Sequence, residues 1–254
     1  MIKTLLLSLL VISSVEAKVK LEKVEYKSGD RVFEGVVARD SKVKGKKPGV
    51  VVFHNWMGVS AETEDKITEM AKLGYVVFAA DIYGKGVRPK DSKEAGALAG
   101  QYKADLKTLG ERATLAVEEL KKQKGVDTTK IFAAGYCFGG TTAIVLARTG
   151  ADLKGIVSFH GGLMDGDNKS IKASLLIQHG AVDPFVPQKD IEAFVKGLND
   201  SKVNYQMTSY ANAVHSFTEK AAGNDNSKGA AYNAEADKFS WIAMKEFFAD
   251  KSKN

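Results

Sequence analysis

The sequence is poor in the residues that most often announce a function. Among 254 residues there is one cysteine, with four prolines, four histidines and two tryptophans. A lone thiol, Cys137, cannot close an internal disulfide, which excludes a disulfide-stapled scaffold. The four histidines include no HExxH spacing and no Cys/His cluster, so a metal site is not expected, and no cofactor motif is present. There is no internal repeat and no low-complexity tract. The longest apolar segment, Leu5 to Val15, is too short to span a bilayer, which takes about 20 residues. Charge is not strongly one-sided either. Lys and Arg number 37 against 31 Asp and Glu, a net +6, and the two signs are interleaved. Only "KVKGKKPG" (Lys42 to Gly49) is a basic cluster, and it reads as a solvated loop before a strand. Nucleic-acid binding is therefore not expected.

The N-terminus is distinctive. Lys3, the apolar run and Val15-Glu16-Ala17 follow the order of a secretory signal peptide, with cleavage expected after Ala17. Residues 1–17 are read as that signal and 18–254 as one domain, secreted or periplasmic, with no stable membrane anchor. Export sharpens the reading of Cys137. A free thiol in an oxidising compartment is a liability, and suggests either an intermolecular partner or a reactive group.

From residue 18 onward, strand-like and helix-like segments alternate. Leu21 to Tyr26 and Arg31 to Arg39 flank the turn signal "KSGD" and read as a hairpin. Gly49–His54, Tyr75–Asp81, Lys130–Gly135, Gly155–His160 and Ser174–Gly180 are apolar, β-branched runs, as expected for strands buried on both faces. Asn204–Tyr210 adds a strand of alternating pattern. Helical spacing marks Ala61–Leu73, Tyr102–Lys124, Phe138–Arg148, Gln188–Leu198 and Ala234–Ala249, the last expected to bury Phe239, Ile242, Ala243 and Phe247. Such alternation predicts an α/β fold with a mostly parallel central sheet, helices on both faces and the hairpin antiparallel at one edge.

Cys137 sits where that architecture concentrates chemistry. "GYCFG" (Gly135 to Gly139) is a Gly-x-nucleophile-x-Gly sequence between a strand and a helix, the context in which a sharp turn presents a nucleophile above the sheet. A free thiol is mostly un-ionised at neutral pH, and a helix N-terminus favours the thiolate. The amide of Phe138, next after the nucleophile, is one expected oxyanion donor. That of Trp56, in the loop "HNWMGVS" after the early strand, is the other. An acid and then a base should follow in chain order. Asp183 lies in the loop after Ser174–Gly180, and His215 in the loop after Asn204–Tyr210. His160 and His179 are rivals for the base, but both precede the acid, and His179 lies inside an apolar strand.

These motifs resemble the dienelactone hydrolase family of the α/β-hydrolase fold: "GYCFGG" at the elbow, "GAVDPFVP" around Asp183, "HSF" at His215, "FHNWMGV" in the early loop and "DIYG" at Asp81 to Gly84. The resemblance spans the chain from the first hairpin to the last helix. It implies a Cys137–His215–Asp183 triad acting through an acyl-enzyme on a small-molecule ester, lactone or thioester, without cofactor. Asn55, Tyr83 and Phe217 are the expected substrate contacts, and the state is expected to be a monomer or small homo-oligomer. Two positions depart from the family pattern. Asn55 stands where the family carries a glutamate that helps ionise the thiol, and Glu219 stands where it carries an arginine for a substrate carboxylate. No arginine lies between Asp91 and Lys107, which leaves Arg88 as the candidate for that task. The namesake dienelactone is therefore not the expected substrate, and a non-catalytic or redox thiol protein on the same scaffold is the alternative. The short polar link "GGLMDGDNKSIKA" predicts no large lid and an open site.

Overall fold

The computed structural model describes residues 18–42 and 44–253, so the proposed signal segment lies outside the described residues. Its strands are β1 (Val19–Ser28), β2 (Arg31–Asp40), β3 (Lys47–Phe53), β4 (Val76–Ala80), β5 (Val126–Tyr136), β6 (Gly155–Phe159), β7 (Ser174–Gly180) and β8 (Tyr205–Tyr210). They form one sheet in the order β1-β2-β4-β3-β5-β6-β7-β8. The hairpin β1–β2 is antiparallel and joins β4 antiparallel; every other pairing is parallel. Parallel strands need crossovers, and helices supply most of them: α1 (Ala61–Lys72) links β3 to β4, α2 (Ser92–Ala104) and α3 (Leu106–Lys122) link β4 to β5, α4 (Phe138–Arg148) links β5 to β6 and α5 (Gln188–Asp200) links β7 to β8, while α6 (Ala234–Lys251) follows the last strand.

Alternate residues of each strand feed opposite faces. In β3, Val51 and Phe53 join the cluster beneath α2, α3, α4 and α5, while Val50 and Val52 join the one beneath α1 and α6. With both faces covered there is no polar side to alternate with, which explains the continuous apolar runs. The link from β6 to β7 (residues 160–173) contains neither helix nor strand, so no lid domain covers that edge.

Two helical expectations need correction. The segment read as one helix from Tyr102 is two helices that meet at Asp105, whose carboxylate accepts the Thr108 amide at 3.0 Å and restarts the chain as α3. The preceding glycine-rich stretch forms α2, capped by Asp91 accepting from the Glu94 amide at 2.9 Å. The Asp-x-x-Glu signature was there to be read, but Gly96 and Gly100 weaken the helical pattern. In α6 the buried face is Ala236, Ser240, Met244, Phe247 and Phe248, whereas Phe239 is 47 % exposed and Ile242 and Ala243 are half-buried. The helix is rotated by about one position from its expected face, and Phe248 packs at a tilt against Phe132 of β5, ring centroids 4.6 Å apart.

Candidate active site

The strand β5 ends at Tyr136, and α4 begins at Phe138. Cys137 makes the whole turn between them, at φ 55° and ψ −115°. A left-handed φ is strained for a side chain bearing a Cβ, and the strain is held by hydrogen bonds and close packing. Its N–H donates to Phe159 O at 3.0 Å and to His160 Nδ1 at 3.1 Å, and its carbonyl accepts from Gly140 and Thr141 at 2.9 and 3.2 Å. The flanking glycines answer to contact distance. A Cβ on Gly135 would lie 1.9 Å from Gly139 O, and one on Gly139 would lie 2.1 Å from Phe53 O. Strand, elbow and helix can approach this closely only without those side chains. The result is a half-exposed thiol at the carboxyl edge of the sheet.

His215 reaches the thiol from the loop after β8. Its Nε2 is 3.1 Å from Cys137 Sγ, and its Nδ1 is 2.8 Å from Asp183 Oδ2. That loop is braced from below: the His215 amide donates to Gly229 O, and its carbonyl accepts from Ala231 N. Asp183 follows β7, and its other oxygen accepts the Phe185 amide at 2.9 Å, which fixes the carboxylate plane. The three residues thus form a continuous chain of contacts drawn from three strand ends. Electrostatics follow from it. Burial alone would disfavour a charged His215, but its bonds to Asp183 and Cys137, and their charges, outweigh that and raise its pKa to about 10.

The early loop follows β3. Among the described residues, the amides of Trp56 and of Phe138, the first residue of α4, donate to no protein acceptor. The Trp56 carbonyl is held by the Tyr83 hydroxyl at 3.0 Å. Behind it, the His54 ring donates from Nδ1 to Asn55 O at 2.6 Å and accepts at Nε2 from the Ile82 amide at 3.2 Å. Burial pushes His54 down to about 4, which keeps it neutral. Asp81 turns the chain after β4 by accepting the Tyr83 and Gly84 amides, each at 3.1 Å.

The three expected substrate contacts do not face solvent. Tyr83 is fully buried and packs on Phe138, Tyr102 and His54, so it supports the Trp56 loop from within. Phe217 is also fully buried, against His160 and Tyr210. Asn55 is buried, with its Oδ1 accepting the Met57 amide at 2.9 Å and its amide side turned to Glu219. Glu219 does not face the site opening either. It is buried, and its pKa is pushed up to about 7 by burial and then by the charge of Glu62, against the lowering effects of Asn55, His215 and Lys66. Arg88 is already engaged: Nε donates to Val59 O at 3.0 Å, Nη1 to Val87 O at 2.7 Å, and Asp81 lies 3.6 Å away. His179 is buried in β7, and burial lowers its pKa.

Two neighbours of His215 have roles that the sequence does not reveal. Phe185 is 60 % exposed and meets the imidazole edge-on at 5.5 Å, beside the exposed Val182. His160 lies 5.4 Å from the His215 ring on the buried side. An aromatic two residues past Asp183 is visible in "GAVDPFVP", but nothing in the sequence says that it is left outside the core. Among the described residues no cluster of His, Cys, Asp and Glu is arranged to hold a metal ion.

A sequence model described as "Dienelactone hydrolase family" matches residues 33–252. The chain belongs to the dienelactone hydrolase family. It is 28 % identical over 194 residues to a Bradyrhizobium protein named "Probable 2-oxo-3-(5-oxofuran-2-ylidene)propanoate lactonase", covering 70 % of this chain and 76 % of the relative. It is 24 % identical over 224 residues to a protein of Escherichia coli K12 named "Putative carboxymethylenebutenolidase", covering 83 % and 80 %. Among solved structures it resembles a dienelactone hydrolase-like promiscuous phosphotriesterase from metagenomic libraries, at 36 % identity and a TM-score of 0.87, covering 91 % of this chain and 98 % of the other. The eight-stranded sheet is thus the sheet of the dienelactone hydrolases, and the protein is a hydrolase of that family.

Proposed function

We propose that this dienelactone hydrolase relative cleaves neutral carboxylic esters, lactones or thioesters through a covalent intermediate on Cys137. The observation that carries this reading is the unbroken chain from Sγ to Nε2 at 3.1 Å and from Nδ1 to Asp183 at 2.8 Å, with the thiol held out on a strained turn. The thiolate of a Cys137–His215 ion pair attacks the substrate carbonyl carbon. The Phe138 and Trp56 amides receive the developing oxyanion. As the tetrahedral intermediate collapses, His215 Nε2–H protonates the leaving oxygen and the alcohol departs. A water then attacks the thioester while Nε2 takes its proton, and the thiolate leaves from the second intermediate. Asp183 keeps Nδ1–H pointed at itself and supports the imidazolium in both halves.

Neutral substrates are favoured by the fate of the charged residues. Arg88 is tied to two carbonyls and to Asp81, and Arg112 is tied to Ile82 O and Tyr102 while stacking on Phe33. Both guanidinium groups are thus drawn into contacts within the protein. Phe185 and Val182 supply an apolar lip beside His215. A phosphotriester is also neutral, so the activity in the metagenomic relative's description belongs in the test. The order of basic, apolar and small residues in positions 1–17 supports export of this hydrolase.

The test is a panel of aryl esters, lactones, thioesters and an aryl phosphotriester, each neutral compound paired with a carboxylate-bearing analogue. The expected result is turnover of neutral esters with a burst of aryl alcohol, lost in Cys137→Ala. Preference for the anionic analogues overturns the substrate reading. Full turnover by Cys137→Ala overturns the mechanism.

A further inference from the structure

His160 is the one histidine that touches both the nucleophile's backbone and the loop of the catalytic base. It lies just past β6, fully buried, at φ 39°, and its own amide is anchored to Gln178 O at 2.8 Å. Its Nδ1 is 3.1 Å from the Cys137 amide nitrogen. A backbone amide can only donate, so Nδ1 carries no proton and accepts. The proton therefore sits on Nε2, which donates to Thr218 Oγ1 at 2.8 Å. Thr218 is three residues past His215, on the same loop. The ring is clamped edge-to-face by Phe217 at 5.0 Å and by His215 itself at 5.4 Å. Nothing in this arrangement offers the imidazole an anion. Burial first, and then the charges of His215, Lys66 and His179, hold it well below the usual histidine range. Protonation would also put an N–H against the Cys137 N–H, and break the elbow's own bond.

These contacts answer a mechanical question. Cys137 is delivered by β5 and His215 by β8, which are three strands apart in the sheet. Their side chains must meet at one distance for proton transfer to work, since a misplacement of about 1 Å is worth on the order of 100-fold in rate. A single rigid ring, fixed in one tautomer, spans the gap.

We propose that His160 is a positioning residue that ties the strained backbone of the nucleophile to the His215 loop, and so sets the Cys137–His215 distance. The proposal rests on the covalent mechanism above. Its role is not chemical, because neither nitrogen is free to exchange a proton with substrate.

The test uses the full mature protein with an activated aryl ester, and measures burst amplitude, kcat, KM and the pH dependence of acylation. Thr218→Val removes only the far bond. It is expected to lower kcat per active site by about tenfold with KM changed less than twofold. The pH limbs of acylation, which report the coupled thiol and imidazole, should move by at least half a unit. Thr218→Ser, which keeps the hydroxyl, should recover at least half of the lost rate. His160→Asn, whose side-chain oxygen can stand in for Nδ1, is expected to behave like Thr218→Val. His160→Phe, which loses both bonds while filling the space, should fall about 100-fold. A merely structural role would lower the thermal midpoint and the burst amplitude together, leaving kcat per active site and the pH limbs where they were, and that result overturns the proposal. If His160→Phe does not fold, the Thr218 pair decides the matter by the same readouts. Persistence of the burst in Cys137→Ala would instead overturn the mechanism on which the proposal stands.

Discussion

The loop after β8 and the turn after β6 each bring a histidine to the same cysteine, His215 partly and His160 fully buried, and the two imidazoles are driven in opposite directions. His215 is raised to about 10, while His160 is held well below the usual range. Burial disfavours the charged form of both. The difference lies in the partners. His215 meets a carboxylate at one nitrogen and a sulfur at the other, both able to bear negative charge. His160 meets an amide N–H and a threonine hydroxyl, neither of which repays the loss of water around a cation. In a dry site the neighbours decide protonation and burial only sets the stakes. One strand edge can therefore hold one imidazole whose pKa is raised and another whose pKa is lowered, with their rings 5.4 Å apart.

The comparison can be broken most severely at His215. His215→Ala removes the proposed proton carrier and should cut kcat/KM by on the order of 10⁴-fold, measured as steady-state ester hydrolysis. Next is Asp183→Asn, which leaves the shape intact but removes the carboxylate that separates the two histidines. It should lower kcat by roughly 10³-fold and bring the His215 titration down toward that of His160, as read by NMR of the imidazole carbons. A His215 titration unmoved by Asp183→Asn would mean that the partner does not set it.

A third experiment extends the rule to an acid. Glu219 is buried without a cationic partner in contact, and its folded pKa of about 7 stands above its ordinary 4.5. Between those values the native state keeps a proton that the unfolded chain has lost, so stability falls as pH rises through that window. Above it the penalty is complete, at about 3 kcal/mol. Glu219→Gln has no proton to lose. Its thermal midpoint should exceed the wild type's at pH 8 by several degrees and converge with it at about pH 4, below the ordinary value. A gap that does not change with pH would refute the assignment. The smallest effect is expected at the lip: Phe185→Ala should raise KM for apolar aryl esters by about three- to tenfold and leave kcat nearly unchanged, since the ring touches His215 only by its edge.

Much of this architecture was legible in the sequence because the sheet leaves a plain signature. Continuous apolar runs mark the parallel strands, and the loops at their carboxyl ends hold the candidates Cys137, Asp183 and His215. What remained hidden depends on which way a side chain turns inside a loop. Asn55 and Tyr83 lie in the loops just past β3 and β4, and Phe217 lies two residues past His215, yet all three are buried, and pattern alone cannot tell a lining residue from a supporting one. Glu219 shows the same limit from the other side. Its place four residues past His215 suggested a charge facing substrate, whereas the turn begun by Ser216, at φ 57°, folds it under the early loop against Asn55. In the sequence His160 stands only as a rival base. Its tautomer follows from two hydrogen bonds to residues 23 and 58 positions away, which no local pattern encodes.

The central claim is that Cys137 takes up the acyl group. Rapid quenching during the first turnover of an activated aryl ester, followed by peptide mass spectrometry, reads it directly. The account predicts one acyl mass on the peptide carrying Cys137, absent from Cys137→Ala and longer-lived in Asp183→Asn. An acyl group on another residue, or steady turnover with Cys137 never modified, would contradict it.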